Sequence, residues 1–437
     1  MPFFNFTISS LILGIFGKNF KFFNLKNVKQ IFFSFVFPAM IIGQNLNEKL
    51  PPNNISTILF QAQDEIDNIP MVALGKAFTL YFDDLDGDES YYYYTIQHAN
   101  ADWTASVLFK SEYINGFDDV RIKNMSNSSA TLQSYTHYSL SIPNRNVEIT
   151  TSGNYLLSVF DANQNLVFTT RFVVYEQSAN VQLGVFRLRE LDGIDSQQRI
   201  EIGVQTNNIN SRQPEQEIKV WVLQNFQWSS ARKISKFDYV MNQTLQYEYS
   251  NDLIFEGGNE YLFFDTKDIR STGGNVVQIR RNELYQSILY HDYVRNGNVY
   301  TYAPDINGNF VIQTTEGINP NTDADYTDVT FSLQTSEINY GFYVTGRFNQ
   351  NQPQSYHKLQ YEPTTNTHQA TIRMKQGVYN YKYVAIDAES QLLENGVGGS
   401  HWETENDYYA LVYFRPFGQR YDRFNGVGFG NSNQIRN

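Results

Sequence analysis

Six histidines, His98, His137, His291, His357, His368 and His401, are the side chains of this 437-residue sequence whose ordinary titration lies near neutrality. No two stand at metal-ligand spacing and no H-E-x-x-H segment occurs, so a metal centre is not expected. The chain has no cysteine, which rules out disulfides, thiolate-bound zinc, iron–sulfur clusters, thiol nucleophiles and cysteine lipid anchors. There is no G-x-S-x-G elbow for a serine nucleophile. The 45 Asp and Glu residues show no local pair set up for glycoside hydrolysis. The acidic run Asp83-Asp84-Leu85-Asp86-Gly87-Asp88-Glu89 lacks the register and distal Glu of a calcium-binding EF-hand and reads as a charged hairpin turn. Gly426-x-Gly428-x-Gly430 follows no strand-to-helix unit, so it is not a nucleotide loop. Tyr91 to Tyr94 puts two rings on each face of a strand, where sandwich packing is the ordinary use and a sticky platform the rarer one. Neither catalysis nor a cofactor is expected.

The elements that hold these residues are strands. Phe78, Leu80 and Phe82 alternate with Thr79 and Tyr81; Ile200, Ile202 and Val204 with Glu201 and Gly203; Val329, Phe331 and Leu333 with Thr330 and Ser332. That period of two marks half-buried strands. Denser apolar runs at residues 155–160, 172–175, 218–223, 261–264 and 379–386 suit strands covered on both faces. Turn signals such as Asp86-Gly87, Ser152-Gly153, Gly257-Gly258 and Asn307-Gly308 punctuate them at short intervals. No window carries a helical apolar period, so the chain reads as all-β, built of tandem sandwiches.

Residues 1–43 differ from the rest. They hold 11 of the 33 Phe, four lysines and no acid. The apolar run 31–43 is too short to span a bilayer but fits the core of a signal peptide, with Lys26 and Lys29 before it. Cleavage between Gly43 and Gln44 is expected. It leaves 29 basic residues against 45 acidic ones, a formal charge of −16 in place of −12, which disfavours nucleic acid and anionic lipid as partners. Polar breaks at residues 176–180 and 319–323 divide the rest into an N-terminal sandwich (44–178), a middle β domain (179–318), a C-terminal sandwich (319–415) and a flexible tail (416–437).

One set of motifs is distinctive: His98-Ala99-Asn100-Ala101-Asp102-Trp103, Glu112-Tyr113-Ile114-Asn115-Gly116-Phe117, Tyr135-Thr136-His137-Tyr138, Ile142-Pro143-Asn144, Ser152-Gly153-Asn154-Tyr155 and Arg171-Phe172-Val173-Val174-Tyr175-Glu176. In this order the chain resembles the plug protein family of the type IX secretion system of Bacteroidota. Asn259-Glu260-Tyr261, Asp305 to Phe310 and Asp323 to Tyr326 extend the likeness. Ala99 departs from the family, in which a cysteine is expected between His and Asn. More weakly, Val344 to Asn349 with Gly377 to Tyr383 is similar to early-set immunoglobulin-like domains, although Gln350 and Asn351 stand where glucan binders place Trp.

The resemblance implies tandem immunoglobulin-like/early-set β-sandwich domains and a non-enzymatic periplasmic protein. It would dock on the giant outer-membrane translocon barrel of that secretion system and close its periplasmic opening when no cargo is exported, with no membrane anchor of its own. A glycan-binding accessory protein at the outer membrane is the rival reading. His98, Asn100, Asp102, Trp103, Tyr135, His137 and Tyr138 are the family-motif or partner-contact candidates. The expectation for the first block is one buried polar network joining His98, Asn100 and Asp102, with Trp103 inside a sandwich.

Overall fold

The computed structural model describes residues 45–63, 68–206, 208–336 and 339–435. The expected leader and the Gly43–Gln44 cleavage site lie outside them.

The alternation read from the sequence becomes two-faced strands. Phe78, Leu80 and Phe82 point into the core of a first sandwich. One of its sheets runs in the order Ile55–Ala62, Phe78–Asp84, Thr136–Ile142, Asn124–Asn127. The facing sheet runs Met71–Ala73, Leu166–Tyr175, Gly153–Phe160, Tyr93–Ala99, Val120–Arg121. Phe60, Phe78 and Phe172 fill the gap at ring separations of 4.5 to 5.6 Å. Pairing is antiparallel except that Met71–Ala73 lies parallel to Leu166–Tyr175.

A second sandwich sets the sheet Asn180–Arg187, Gln197–Gln205, Thr244–Tyr247, Tyr239–Met241 against Arg232–Ile234, Ile218–Gln224, Asp407–Phe414, Arg423–Asn431. Ile200, Ile202 and Val204 pack with Val220, Val222 and Val412 between them. A third sandwich faces Leu262–Asp265, Gly377–Ile386 and Phe310–Ile312 toward Val276–Arg281, Tyr285–Leu289, Tyr326–Gln334, Thr367–Lys375 and Gln360–Glu362. Val329, Phe331 and Leu333 are fully buried in its core. The chain is therefore almost all β; its two α-helices among the described residues, Pro214–Glu217 and Pro320–Asp323, are single turns.

The sandwiches do not follow the expected segment boundaries. The third is inserted between Ile254–Glu256 and Asp407–Phe414, two strands of the second. The polar stretch 319–323 is no linker. It is a turn within the third sandwich, where the Asn319 side chain caps Pro320–Asp323 by accepting the Asn321 N–H.

The expected flexible tail is likewise a strand, Arg423–Asn431, paired along the length of Asp407–Phe414. Its alternating glycines serve close approach of backbones. A Cβ on Gly426 would meet the Ala179 carbonyl oxygen at 2.7 Å, on Gly428 the Val181 side chain at 2.7 Å and on Gly430 the Leu183 side chain at 2.4 Å. The strand Asn180–Arg187 can rest there only because those positions carry no side chain. Gly428→Val is therefore expected to destabilise the second sandwich by about 1–3 kcal/mol through overpacking, read as a lower urea midpoint; an unchanged midpoint would contradict the close packing.

Candidate functional site

The motif residues gather at two seams between sandwiches. The described residues belong to one compact unit, and a separate apolar cluster lies between the outer faces of the first and second sandwiches. It contains Ala99, Ala101, Trp103, Leu156 and Val173 from one and Leu223, Phe226, Leu411, Tyr413 and Phe424 from the other.

The block 98–103 forms the polar part of this first seam. His98, 1% exposed, is the next-to-last residue of the strand Tyr93–Ala99 and shares a 3.2 Å hydrogen bond with the Ser152 carbonyl. Its ring lies edge-on to Tyr155 and Tyr421. Gly153 makes room for it: φ there is +144°, and a Cβ would sit 2.3 Å from the imidazole Nε2. Burial pushes the His98 pKa down to about 4.

Asn100 donates to the Thr104 hydroxyl at 3.0 Å and accepts from the Arg415 guanidinium at 2.7 Å. The Ala101 N–H donates to Asp422 at 3.0 Å, and Asp422, fully buried, is clamped by Lys219 and Arg415 at 2.8 Å each. The Asn154 amide joins the two sandwiches as well, donating to the Asn100 carbonyl at 3.1 Å and accepting the Tyr413 hydroxyl at 2.6 Å. Trp103, in a left-handed turn with φ of +63°, packs edge-on against Trp228 at 4.8 Å under the Arg171 guanidinium.

The single network expected of His98, Asn100 and Asp102 does not form. Asp102 is exposed and caps its own turn by accepting the Thr104 N–H and hydroxyl. His98 bonds elsewhere, and Trp103 lies between sandwiches and not inside one. Asn100 and Asp102 meet through the Thr104 hydroxyl, while His98, back on the strand, shares a partner with neither.

The second seam joins the first and third sandwiches around Asp83, which has no exposure. Its carboxylate is bonded to His137 Nδ1 at 2.6 Å, to Lys375 Nζ at 2.6 Å and to the Tyr326 hydroxyl at 2.7 Å. Burial alone would raise its pKa, but the Lys375 charge and the His137 and Lys375 hydrogen bonds hold it below the usual carboxylate range. Lys375 also donates to the Asn321 carbonyl at 2.7 Å and lies 4.1 Å from the centre of the Tyr135 ring. Tyr135 reaches across to the Ala324 carbonyl at 2.7 Å. Asp325 answers by accepting the Leu132 N–H at 2.7 Å and the Gln133 N–H at 3.1 Å. Tyr138, by contrast, belongs to the core of the first sandwich, stacked on Phe82 at 5.0 Å.

The candidate residues read from the sequence did not include Asp83, Lys375, Tyr326 or Asp422, although Asp83 stood in the acidic run and Tyr326 in a family-like stretch. The acidic run does not all lie in a turn: Asp83 and Asp84 complete the strand Phe78–Asp84, and Asp84, also buried, accepts the Tyr92 hydroxyl at 2.7 Å. Parity carried the signal for Asp83. It falls on the face opposite Phe82 and pairs in register with His137, so a buried acid–histidine pair was implied once that outer face was known to be covered. Lys375 is likewise the cross-strand neighbour of Tyr326. Among the described residues, no three or more His, Asp or Glu side chains are placed to hold a metal ion, and no helix is long and apolar enough to cross a membrane.

The fold and these seams define an all-β protein whose motif residues bind sandwich to sandwich. Residues 55–176, which span the first sandwich from its first strand, match the family model for the first domain of the type 9 secretion system plug protein. The crystal structure of a hypothetical protein from Parabacteroides merdae ATCC 43184 is similar at 30% identity and a TM-score of 0.84, over 89% of this chain and 100% of that one. The BSP domain of a biofilm associated protein aligns at 8% identity with a TM-score of 0.15, which bears on neither fold nor function. No curated protein matches. The chain belongs to the plug protein family of the type IX secretion system.

Two outcomes follow for the seams. Lys375→Met leaves Asp83 buried without its main counter-charge and is expected to cost about 3–5 kcal/mol; combining it with Asp83→Asn should recover part of that loss in urea unfolding, and a neutral Lys375→Met would contradict the buried pair. An imidazole in the unfolded chain titrates near 6.5, so between about pH 6.5 and 4 the unfolded state binds a proton that folded His98 does not. Stability should fall through that window by up to roughly 3 kcal/mol, and less steeply in His98→Gln; equal slopes in the two proteins would contradict the assignment.

Proposed function

We propose that this protein docks on the periplasmic opening of the outer-membrane translocon of the type IX secretion system and closes it while no cargo passes. The match of residues 55–176 to the plug family carries this reading. The architecture supports it. A stopper needs a broad, stiff body and no catalytic group, and here three sandwiches are tied together by buried polar seams in addition to apolar contact. Docking has to bury more than about 1,000 Å² to be specific, and its attachment to the outer membrane would come through the translocon.

Four of the motif residues are poorly placed to take part in that docking face. His98, Trp103, Tyr135 and His137 are all less than a tenth exposed and already have partners inside the molecule. Affinity purification of the tagged protein from native membranes is expected to bring a very large barrel with it, and a deletion strain with an intact translocon is expected to admit large solutes that the parent excludes. A purified protein without the barrel, together with an unchanged permeability barrier, would overturn the proposal.

A further inference from the structure

Phe109, Phe117 and Phe417, at 73%, 80% and 95% exposure, are the most exposed phenylalanines among the described residues, and Val107, close to Phe109 in the chain, is 57% exposed. A single apolar side chain in water is ordinary, whereas several brought together mark a contact surface. These four stand on neighbouring loops. Lys110 bridges to Asp118 at 2.6 Å, which ties the residue after Phe109 to the residue after Phe117. Glu112 accepts the Phe109 N–H at 2.8 Å and pairs with Arg420, which shares a loop with Phe417. Phe109 and Phe117 belong to the first sandwich and Phe417 to the second, so the group straddles the first seam.

The loops are set in place by the molecule itself. The Phe117 N–H donates to the Asn146 carbonyl at 2.6 Å, and the Phe417 N–H donates to Glu217 at 3.1 Å. Asp118 is buried and accepts the Ile96 N–H at 2.5 Å in addition to holding Lys110. Side chains carried on pinned backbone give up little freedom on binding. The seam hydrogen bonds from Arg415 to Asn100 and from Ala101 to Asp422 hold the two sandwiches' shares of the group at a fixed spacing.

Charge decides between kinds of partner. Basic residues beside apolar rings suit a membrane when they are left uncompensated for anionic headgroups to meet. Here Lys110 and Arg420 each already hold an acid, and their side chains stay 48% and 50% exposed beside the rings. An apolar centre edged by paired, half-exposed charges has the make-up of a protein–protein contact.

We infer that Val107, Phe109, Phe117 and Phe417 form the apolar centre of the face that docks on the translocon, and that the matching surface offers apolar sockets within a polar rim of no net charge. This rests on the docking proposal above and adds to it which residues make the contact.

Affinity purification from native membranes tests the assignment, with the parent and a variant combining Phe109→Ser, Phe117→Ser and Phe417→Ser under the same tag. At these exposed positions the variant should unfold at the parent's urea midpoint while bringing at least tenfold less barrel. Phe417→Ser alone should already lower the yield. A parent that brings the barrel and a folded triple variant that brings as much would overturn this inference and leave the plug proposal standing. A parent that brings none removes both. Flotation of the purified parent with vesicles of phosphatidylethanolamine and phosphatidylcholine, lost in the triple variant, would assign the rings to lipid and overturn the protein contact.

Discussion

The structure depends on one carboxylate buried where three parts of the chain meet. Asp83 has no exposure and is held by His137 from its own sandwich and by Lys375 and Tyr326 from another. An ion taken out of water is tolerated only while its partners stay in place. Separating the first and third sandwiches would leave Asp83 with His137 alone and strand the Lys375 ammonium, so the seam favours either the closed arrangement or extensive unfolding. At the seam of the first and second sandwiches Asp422 has its counter-charges, Lys219 and Arg415, on its own side, and the Ala101 N–H and the Arg415–Asn100 hydrogen bond cross to that ion cluster. Apolar contact makes the domains adhere, while these ions fix how they meet.

Much of the fold was legible in the sequence because strand period is local. The alternations at Phe78, Ile200 and Val329 each became the inward face of a sandwich. Topology was not legible, because it depends on which strands find each other. Nothing in residues 408–414 announces that they pair with Ile218–Gln224, nearly two hundred positions earlier. A polar run such as 319–323 looks the same as a linker or as a loop inside a domain. The glycines of residues 426–430 looked like looseness, and the strand laid against them shows that they are tight packing.

The site was half legible. The motif residues were singled out by type, and five of the seven do lie at seams, with Asp102 exposed in its own turn and Tyr138 in a core. Their partners were not found, since Lys375 and Asp422 lie roughly 300 residues from the groups they bind. A buried ion pair leaves no local pattern when its members sit on different domains. The outcome bears on function. Most of the motif residues here maintain the relative placement of three sandwiches, and the exposed surface is made mainly of other residues.

If the seams couple the sandwiches as strongly as their geometry implies, the protein should unfold as one body. Differential scanning calorimetry of the full-length protein at pH 7 measures this directly. A single transition whose calorimetric and van't Hoff enthalpies agree is expected. Two or three resolved transitions, unchanged in position by Lys375→Met, would show that the sandwiches melt independently and that the buried charges do not hold them together.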